Sequence, residues 1–450
     1  MTYNDTLDYL YNTLPMFSRM GSAAFKKDLT NIHILCERLG NPQEQFKTIH
    51  IGGTNGKGST SHMLASVLQT AGYKTGLYTS PHLYDFRERI RIDGIMADEG
   101  FVVDFVKNIK PVLEEIEPSF FETTVAMAFT YFAHKKVDVA VIEVGLGGRL
   151  DSTNIIHPEL AIITNIGWDH TNILGNTLEA IAGEKAGIIK NGVPVVIGER
   201  KEETEKIFIR TAEEKKAPIF FAEDYFQTNS FIWQNHKLIL DVLDIKSKKV
   251  NSYQLDLPGI YQKKNIQTVL TAIELLQKKD FTISNSAVHE GLKKVVKNTG
   301  LHGRWEVIHE QPAVVLEVAH NKDGIQQMLE HLKNIRFKQL HMILGMVKDK
   351  DIMPVLELLP KDAHYYFTNA HIPRALDAAS LKEQAAKAYL QGSAFDHVDE
   401  ALANALNEAS EDDLIIVCGS IFLVAEVNRD FSLATLEPRR HNSTKIHKEK

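Results

Sequence analysis

A glycine-rich segment near the N-terminus carries the clearest chemistry in the sequence. It reads I-H-I-G-G-T-N-G-K-G-S-T from Ile49 to Thr60. A short apolar strand leads through the glycines into a helix, so backbone N–H groups and a helix N-terminus face one point, which favours a phosphate. Lys57 adds a positive charge and Ser59 a hydroxyl. The spacing departs from G-x-x-x-x-G-K-[ST], because Ile51 stands at the first glycine position and a further glycine follows the lysine. The segment predicts a nucleotide site, with an ordinary glycine turn as the alternative.

Further polar residues follow the ends of other predicted strands, where open α/β sheets bind their ligands. Glu143 ends the apolar strand V-D-V-A-V-I-E-V, and Asp169 and His170 follow the strand that ends in T-N-I-G. Ser80 follows the strand after the glycine-rich segment, and Lys185 lies among small residues in A-G-E-K-A-G. Each has a structural alternative: a salt bridge for Glu143, a loop cap for the Asp-His pair, a Ser-Pro turn, and a surface lysine.

Strands and helices alternate along the chain, which predicts a doubly wound α/β architecture. Two domains are expected, because 450 residues exceed one typical core. We predict a larger domain over residues 1–298, a smaller α/β domain over residues 299–430, and a disordered polar tail over residues 431–450. A helix is expected over residues 177–190 and an antiparallel extension over residues 200–255. The second α/β run is predicted to have strands near residues 314–318, 340–344, 364–368 and 414–418.

Composition limits the class of protein. The net charge of −7 argues against nucleic acid as the main partner. The chain has 2 cysteines, which is too few for a disulfide scaffold and is typical of a reducing compartment. No apolar run approaches the roughly 20 residues that span a bilayer. We therefore expect a cytoplasmic protein that binds neither nucleic acid nor membrane.

The motifs, taken together, resemble one family in their order and spacing. They are G-G-T-N-G-K-G-S, S-P-H-L with E-R-I, F-F-E-T-T, E-V-G-L-G-G-R-L-D-S-T-N, N-I-G-W-D-H, L-G-N-T-L-E-A-I-A-G-E-K-A-G-I-I-K and H-G-R-W-E. The family is the folylpolyglutamate synthase/dihydrofolate synthase branch of the Mur ligase superfamily, and the likeness runs from Leu39 to Val427. It implies a P-loop-containing, Mur ligase-like central domain with a doubly wound sheet, followed by a smaller Rossmann-like C-terminal (glutamate ligase) domain.

The resemblance also implies an activity. It is the ATP-dependent addition of L-glutamate to dihydropteroate and to reduced folates, through an acyl phosphate, with Mg²⁺ as the cofactor. The implied partners are ATP, L-glutamate, dihydropteroate, and tetrahydrofolate with its polyglutamates, and the implied state is a monomer. The sequence leaves open whether one or both ligase activities are present.

Site residues carry over from the family by motif. The implied ATP-binding residues are Gly56, Lys57, Gly58, Ser59, Asn265, Arg304 and Glu317. The implied Mg²⁺ ligands are Ser80, Glu143 and His170, the implied pterin-binding residues are Phe121, Glu122, Thr123 and Asp151, and His320 and Asn321 are implied as a further site in the C-terminal domain. Lys185 matches the family's carbamylated lysine, and Lys185, His170 and Lys57 are the implied catalytic residues. Glu317 stands where the family normally has Asp.

Two other hypotheses stay open at this point. The first is another Mur-type ligase acting on a different carboxylate. The second is a non-catalytic ATP-binding paralogue, for which Glu317 is the only hint. Residues 200–255 carry no functional prediction.

Overall fold

The structure, a computed structural model, describes residues 1–21, 28–234 and 236–430. The predicted tail, residues 431–450, lies outside the described residues. In the part of the chain that the structure describes, three α-helices precede the first strand: α1 (Tyr3–Thr13), α2 (Phe17–Met20) and α3 (Thr30–Arg38). In α1, the hydroxyl of Thr2 and the carboxylate of Asp5 form a capping box that fixes the start of the helix.

The first half of the chain contains an eight-stranded sheet. Its strands are β1 (Lys47–Gly52), β2 (Thr75–Tyr78), β3 (Ile90–Ile92), β4 (Ile95–Met96), β5 (Val139–Glu143), β6 (Leu160–Ile163), β7 (Val195–Ile197) and β8 (Ile219–Phe221). Their spatial order is β4-β3-β2-β5-β1-β6-β7-β8. All neighbouring pairs are parallel except β2–β3 and β3–β4. The strands are short and apolar because both faces of the sheet are covered.

Helices cover both faces of this sheet. They are α4 (Lys57–Thr70), α5 (Glu99–Ile116), α6 (Phe120–Lys135), α7 (Thr171–Leu174), α8 (Leu178–Ala186), α9 (Glu202–Glu214), α10 (Gln262–Gln277), α11 (Asn285–Lys293) and α12 (Val295–Thr299). Alternate residues of β5 serve the two sides. Val139 and Val141 join the core that contains α4 and α10, whereas Ala140 and Ile142 join the core that contains α5 and α6.

The segment predicted as an antiparallel extension is only partly so, and the prediction is wrong for residues 202–221. Helix α9 buries Thr204, Phe208 and Ala212 at a spacing of four, which is helical periodicity, and β8 adds a parallel strand to the main sheet. The antiparallel part begins later, as a separate sheet of β9 (Phe226–Gln234), β10 (Lys237–Asp244) and β11 (Val250–Leu255).

The helix predicted over residues 177–190 is shorter than expected. Helix α8 ends at Ala186, and the chain then continues through single turns in which the N–H groups of Ile188 and Ile189 bond carbonyls three residues earlier. Gly187 is the C-cap residue of this helix. The position needs glycine, because a Cβ there would overlap the backbone of Arg149. The end of the helix is therefore set by close packing against the segment that follows β5.

A second sheet, of six strands, forms the last part of the described chain. Its strands are β12 (Glu306–Glu310), β13 (Ala313–Leu316), β14 (Leu340–Leu344), β15 (His364–Phe367), β16 (Gly392–Ala394) and β17 (Leu414–Cys418), in the order β12-β13-β17-β14-β15-β16. Its helices are α13 (Lys322–Leu332), α14 (Met353–Leu356), α15 (Ala378–Lys387), α16 (Val398–Glu408) and α17 (Ile421–Glu426). The predicted strands of this region are confirmed. The predicted boundary after residue 298 falls between the last strand of the first half and β12, and stays a prediction.

Each α/β region holds one cysteine, and both cysteines are buried and free. Cys36 lies in α3 and Cys418 ends β17. Burial raises the pKa of each thiol to about 12. Among the helices of the described chain, none combines the length and apolarity needed to cross a membrane.

The centre of the first sheet is expected to carry much of its stability. Ile162 of β6 is fully buried between Ile51 of β1 and Val196 of β7. We expect Ile162→Ala to lower the free energy of unfolding by about 2–5 kcal/mol, because it removes buried methyl groups and leaves a cavity. Ile95→Ala, at a site that is 74% exposed, should change it by less than about 0.5 kcal/mol. Urea unfolding followed by circular dichroism measures both; equal effects would contradict this assignment of the core.

Candidate active site

The carboxyl ends of the two large sheets face one cleft of about 820 Å³. Gly53, Gly145 and Asn165, which follow β1, β5 and β6, line it from the first sheet. Val318 and Gly419, which follow β13 and β17, line it from the second. The sequence-predicted residues that line this cleft are Gly56, Lys57, Gly58, Ser59, Ser80, Phe121, Glu143, Asp151, His170, Lys185, Asn265, Arg304, Glu317 and His320.

The glycine-rich loop between β1 and α4 is shaped by close contacts. Gly53 has a φ of 139°, and a Cβ there would overlap the hydroxyl of Thr164. Gly56 has a φ of 82°, and a Cβ there would lie 2.5 Å from Oδ1 of Asn265. Both positions therefore need glycine for conformation and for space. The turn brings the first N–H groups of α4 to the floor of the cleft, where they have no partner within the helix.

Lys57, the first residue of α4, folds back over this loop. Its Nζ donates hydrogen bonds to the carbonyl oxygens of Gly53 and Thr54, at 3.2 and 3.1 Å. It forms no ion pair with a described residue. The charge of Lys57 is thus held at the loop rather than neutralised by a neighbouring carboxylate.

Lys185 lies at the end of α8 and is 4% exposed. Its Nζ donates a hydrogen bond to the carbonyl oxygen of Gly53 at 2.8 Å. Burial, together with the nearby charge of Lys57, lowers the pKa of Lys185 to about 7. A substantial fraction of this amine is therefore neutral at neutral pH, which is unusual for lysine.

Glu143, the last residue of β5, is a buried carboxylate that forms no ion pair with a described side chain. Its Oε2 accepts a hydrogen bond from the backbone N–H of Ser80 at 3.3 Å. Burial raises the pKa of Glu143, and the charges of Lys57 and Arg304 oppose that rise. A cation that enters the cleft beside this buried carboxylate would stabilise its charged form.

His170 is the N-cap residue directly before α7, and it also lines the cleft. Burial lowers its pKa to about 3, so the imidazole is neutral. A neutral imidazole offers a lone pair to a cation. The chemistry of Ser80, Glu143 and His170 therefore fits a divalent metal ion, although nitrogen is a less typical donor for Mg²⁺ than oxygen.

The two halves of the cleft are joined through Asp169, a strand-end residue for which the sequence offered a loop cap as the alternative to a site role. Its Oδ1 accepts a hydrogen bond from Nζ of Lys350 at 2.6 Å, and its Oδ2 accepts one from Nδ2 of Asn321 at 3.2 Å. Nε2 of His320 lies 3.3 Å from the same Oδ2. The position of Asp169 beside His170 at a strand end was the signal that could have placed it in the site.

Asn321 does not line the cleft, but it contacts the glycine-rich loop. Its side-chain amide exchanges two hydrogen bonds with the amide of Asn55, at 3.2 and 3.0 Å. Its Oδ1 also caps α13 by accepting a bond from the N–H of Gly324. The loop that holds Lys57 is thus attached directly to the start of a helix in the second α/β region.

Arg304 and Asn265 approach the start of α4 from other segments. Nη2 of Arg304 lies 3.3 Å from the position that a Cβ on Gly58 would occupy. Asn265 donates to Oε1 of Gln262 at 2.7 Å, and Gln262 donates to Oγ of Ser59 at 3.2 Å. Basic and amide groups therefore surround the first turn of α4.

Glu317 is buried, and its carboxylate is used within the protein. Oε2 accepts hydrogen bonds from the hydroxyl of Tyr261 at 2.7 Å and from the N–H of Trp305 at 3.0 Å. Burial raises the pKa of Glu317, and Arg304 opposes that rise. Glu317 therefore fixes the segment that carries Arg304 against the segment that leads into α10. Tyr261 was not predicted as a site residue.

The predicted pterin-binding residues divide into two groups. Phe121 and Asp151 line the cleft. Glu122 and Thr123 are not among the residues that line it, and their assignment to pterin binding stays a prediction. Glu122 accepts hydrogen bonds from Ser119 in a capping box that starts α6, and the hydroxyl of Thr123 bonds the carbonyl of the same serine. The sequence S-F-F-E is itself the capping-box pattern, which was the missed signal.

Comparisons with known proteins agree with this geometry. The Mur ligase middle domain matches residues 51–273, and the Mur ligase glutamate ligase domain matches residues 303–421. The dihydrofolate synthase/folylpolyglutamate synthase of Bacillus subtilis is 32% identical over 447 residues, covering 95% of this chain and 98% of that protein.

Solved structures are similar over nearly the whole chain. The crystal structure of folylpolyglutamate synthase from Thermotoga maritima matches with a TM-score of 0.77 and 34% identity, covering 94% of this chain and 95% of that one. The structure of E. coli FolC in complex with DHPP and ADP matches with a TM-score of 0.80 and 30% identity, covering 94% and 96%. These matches include both halves of the cleft, and the chain therefore belongs to the folylpolyglutamate synthase/dihydrofolate synthase family of Mur ligases.

Proposed function

We propose that this chain is an ATP-dependent ligase that adds L-glutamate to dihydropteroate and to reduced folates, including tetrahydrofolate and its polyglutamates. The observation that carries the proposal is the cleft itself. The residues that line it include the glycine-rich loop, the buried side chains of Lys185 and Glu143, and Arg304. The B. subtilis relative is named for both activities, and the E. coli relative binds DHPP and ADP.

In the first step, a carboxylate oxygen of the pteroyl substrate attacks the γ-phosphorus of ATP. The bond from that phosphorus to the β-phosphate oxygen breaks, which gives an acyl phosphate and ADP. Such transfers need little covalent help and much charge stabilisation. The N–H groups at the start of α4, with Lys57, Ser59 and Arg304, are suited to hold the phosphates, while Asn265 contributes an amide beside the loop.

Ser80, Glu143 and His170 are the residues that would hold Mg²⁺. When bound, this ion neutralises charge on the phosphate oxygens. The protein supplies a buried carboxylate fixed by the N–H of Ser80 and a neutral imidazole in the segment that follows β6.

Lys185 is proposed to carry a carbamate. Its neutral amine attacks the carbon of CO₂, a nitrogen–carbon bond forms, and one proton leaves to solvent. The product is an anion, so the step converts the buried neutral amine into a negative group. The low pKa of Lys185 favours this reaction, because only the neutral amine is nucleophilic.

In the second step, the α-amine of glutamate attacks the acyl carbon. A tetrahedral intermediate forms, the carbon–oxygen bond to phosphate breaks, and the amine loses a proton as the amide forms. We place glutamate beside His320, which lines the cleft from the second α/β region, while Asn321 holds the neighbouring Asp169. Phe121 and Asp151 line the opposite part of the cleft, which suits the aromatic pterin. We further propose that the chain acts as a monomer in the cytoplasm.

The acceptor acid is the first thing to measure. With ATP, Mg²⁺ and L-glutamate, we expect ADP release with dihydropteroate and also with tetrahydrofolate, because each pterin-bearing substrate has a free carboxylate to activate: the pteroyl carboxylate of dihydropteroate, and a carboxylate of the glutamate in tetrahydrofolate. Reactions that lack glutamate are the control for uncoupled ATP hydrolysis. Turnover with only one acid would limit the proposed activity to that substrate. Turnover with neither acid, in protein that binds ATP, would favour a Mur-type ligase for another carboxylate or a non-catalytic protein.

Lys185 provides a test of the carbamate. Lys185→Ala should lower kcat by at least about 100-fold, the scale of losing one electrostatic group, and millimolar acetate or formate should restore part of it. Lys206→Ala, on the exposed side of α9, is the matched control and should retain full activity. A ¹³C NMR carbamate signal after incubation with ¹³C-bicarbonate should appear in the wild type and be lost in Lys185→Ala. Full activity of Lys185→Ala would refute this role.

The same residue predicts a pH dependence. Because the pKa of Lys185 is lowered to about 7, the neutral amine predominates above that pH and the protonated amine below it. Activity should therefore fall as the pH drops below about 7. Added bicarbonate should move the midpoint of this loss to lower pH, since it favours the carbamate by mass action. A midpoint that does not respond to bicarbonate would argue against carbamylation.

A further inference from the structure

A cluster of two histidines and a glutamate lies in the second α/β region, at the end of the sheet opposite to the cleft. His341 and His364 are register partners at the amino ends of β14 and β15, whereas the cleft lies at the carboxyl ends of the same sheet. Glu408 is the last residue of α16, which packs on these strands. One nitrogen or oxygen atom from each of the three side chains lies within 4.8 Å of the other two.

The surroundings of His341 orient its ring toward this cluster. The residue is 2% exposed, and its Nε2 is buried without a hydrogen-bond partner, 3.5 Å from Oδ2 of Asp413. On the other side of the ring, Nδ1 lies 2.9 Å from the hydroxyl of Tyr366. That hydroxyl also lies 2.7 Å from Oε2 of Glu408.

With a neutral His341 ring, this arrangement has more hydrogen-bond acceptors than hydrogens to satisfy them. If Nε2 carries the imidazole proton and faces Asp413, Nδ1 is an acceptor. The single hydroxyl hydrogen of Tyr366 then faces two acceptors, Nδ1 of His341 and Oε2 of Glu408, and can satisfy only one. If Nδ1 carries the proton instead, the buried Nε2 faces the Asp413 carboxylate as a second acceptor. In both neutral tautomers two acceptors oppose each other, and a positive charge at this point, either a second proton on the ring or a cation beside Nδ1 and Glu408, removes the conflict.

We propose that His341, His364 and Glu408 bind one divalent transition metal ion, of which Zn²⁺ is the best match. Two imidazoles and one carboxylate form a ligand set that zinc accepts, with water in the fourth position. Asp413 takes the place of the carboxylate that commonly lies behind a metal-bound histidine and holds its ring.

The position of the cluster indicates a structural role. His341 and His364 belong to adjacent parallel strands, and Glu408 ends the helix that covers them. An ion at this point joins three elements of the second sheet at the edge opposite to the cleft. Binding to the folded state alone would raise the thermal stability of the protein without a change in ligation rate.

The test uses the full chain without a polyhistidine tag, stripped of metal with a chelator. Titration with Co²⁺ should give visible absorption bands of a low-coordinate nitrogen and oxygen site, and Zn²⁺ should abolish them in competition. His364→Ala and Glu408→Gln should each weaken Zn²⁺ affinity at least tenfold and remove the rise in melting temperature that Zn²⁺ gives the wild type. Both side chains are exposed at the cluster, so the fold should tolerate these changes.

His397→Ala is the matched control, because it removes one ring of a separate histidine pair in this region, the stacked rings of His371 and His397. Its Zn²⁺ affinity should equal that of the wild type. Ligation activity should be unchanged in all three variants, since none of these side chains lines the cleft. Absence of Zn²⁺ binding in the wild type, or unchanged affinity in His364→Ala and Glu408→Gln, would overturn the proposal.

Discussion

The contact on which the cleft depends is the carboxylate of Asp169. It follows β6 of the first sheet, and it receives Lys350, Asn321 and His320 from the second α/β region. Burial alone would raise the pKa of Asp169, but Lys350 and the adjacent histidines lower it well below the ordinary value. The carboxylate therefore remains charged at neutral pH, and both sheets present their carboxyl ends to one space.

Near Asp169, the chain buries ionisable side chains at a cost to the stability of the fold. Lys185 and Glu143 are nearly inaccessible to water, yet neither forms an ion pair with a described residue. A buried lone charge destabilises a fold unless a ligand or a change of protonation compensates it. Proteins tolerate such local conflict at functional sites and obtain stability elsewhere. Here the fully apolar centre of the first sheet, with residues such as Ile51 and Ile162, provides that stability.

The sequence was sufficient for the parts of the fold in which local pattern and tertiary packing agree. The apolar strands of the second sheet and the loop before Lys57 were predicted because buried parallel strands are continuous apolar runs and because tight turns need glycine. Residues 202–221 were misassigned, since a short polar helix on the surface has only three buried positions to reveal its period.

Lys57 and Glu143 were predicted as site residues from their motifs, and both line the cleft. Glu122 and Thr123 serve the start of α6 instead, and their assignment to the pterin stays a prediction. The contacts of Asp169 and Tyr261 could not be predicted for a different reason. Their partners Lys350 and Glu317 are distant in sequence, so only the folded chain brings the atoms together.

The two cysteines have a practical consequence. Cys36 packs within the first α/β region and Cys418 within the second, and burial keeps both thiols protonated as well as shielded. Alkylation requires a thiolate that a reagent can reach, so each sulfur reacts only when its own surroundings open. The chain thus carries one built-in reporter in each half. The ratio of their labelling rates measures which half loosens first when ligands are withdrawn or denaturant is added.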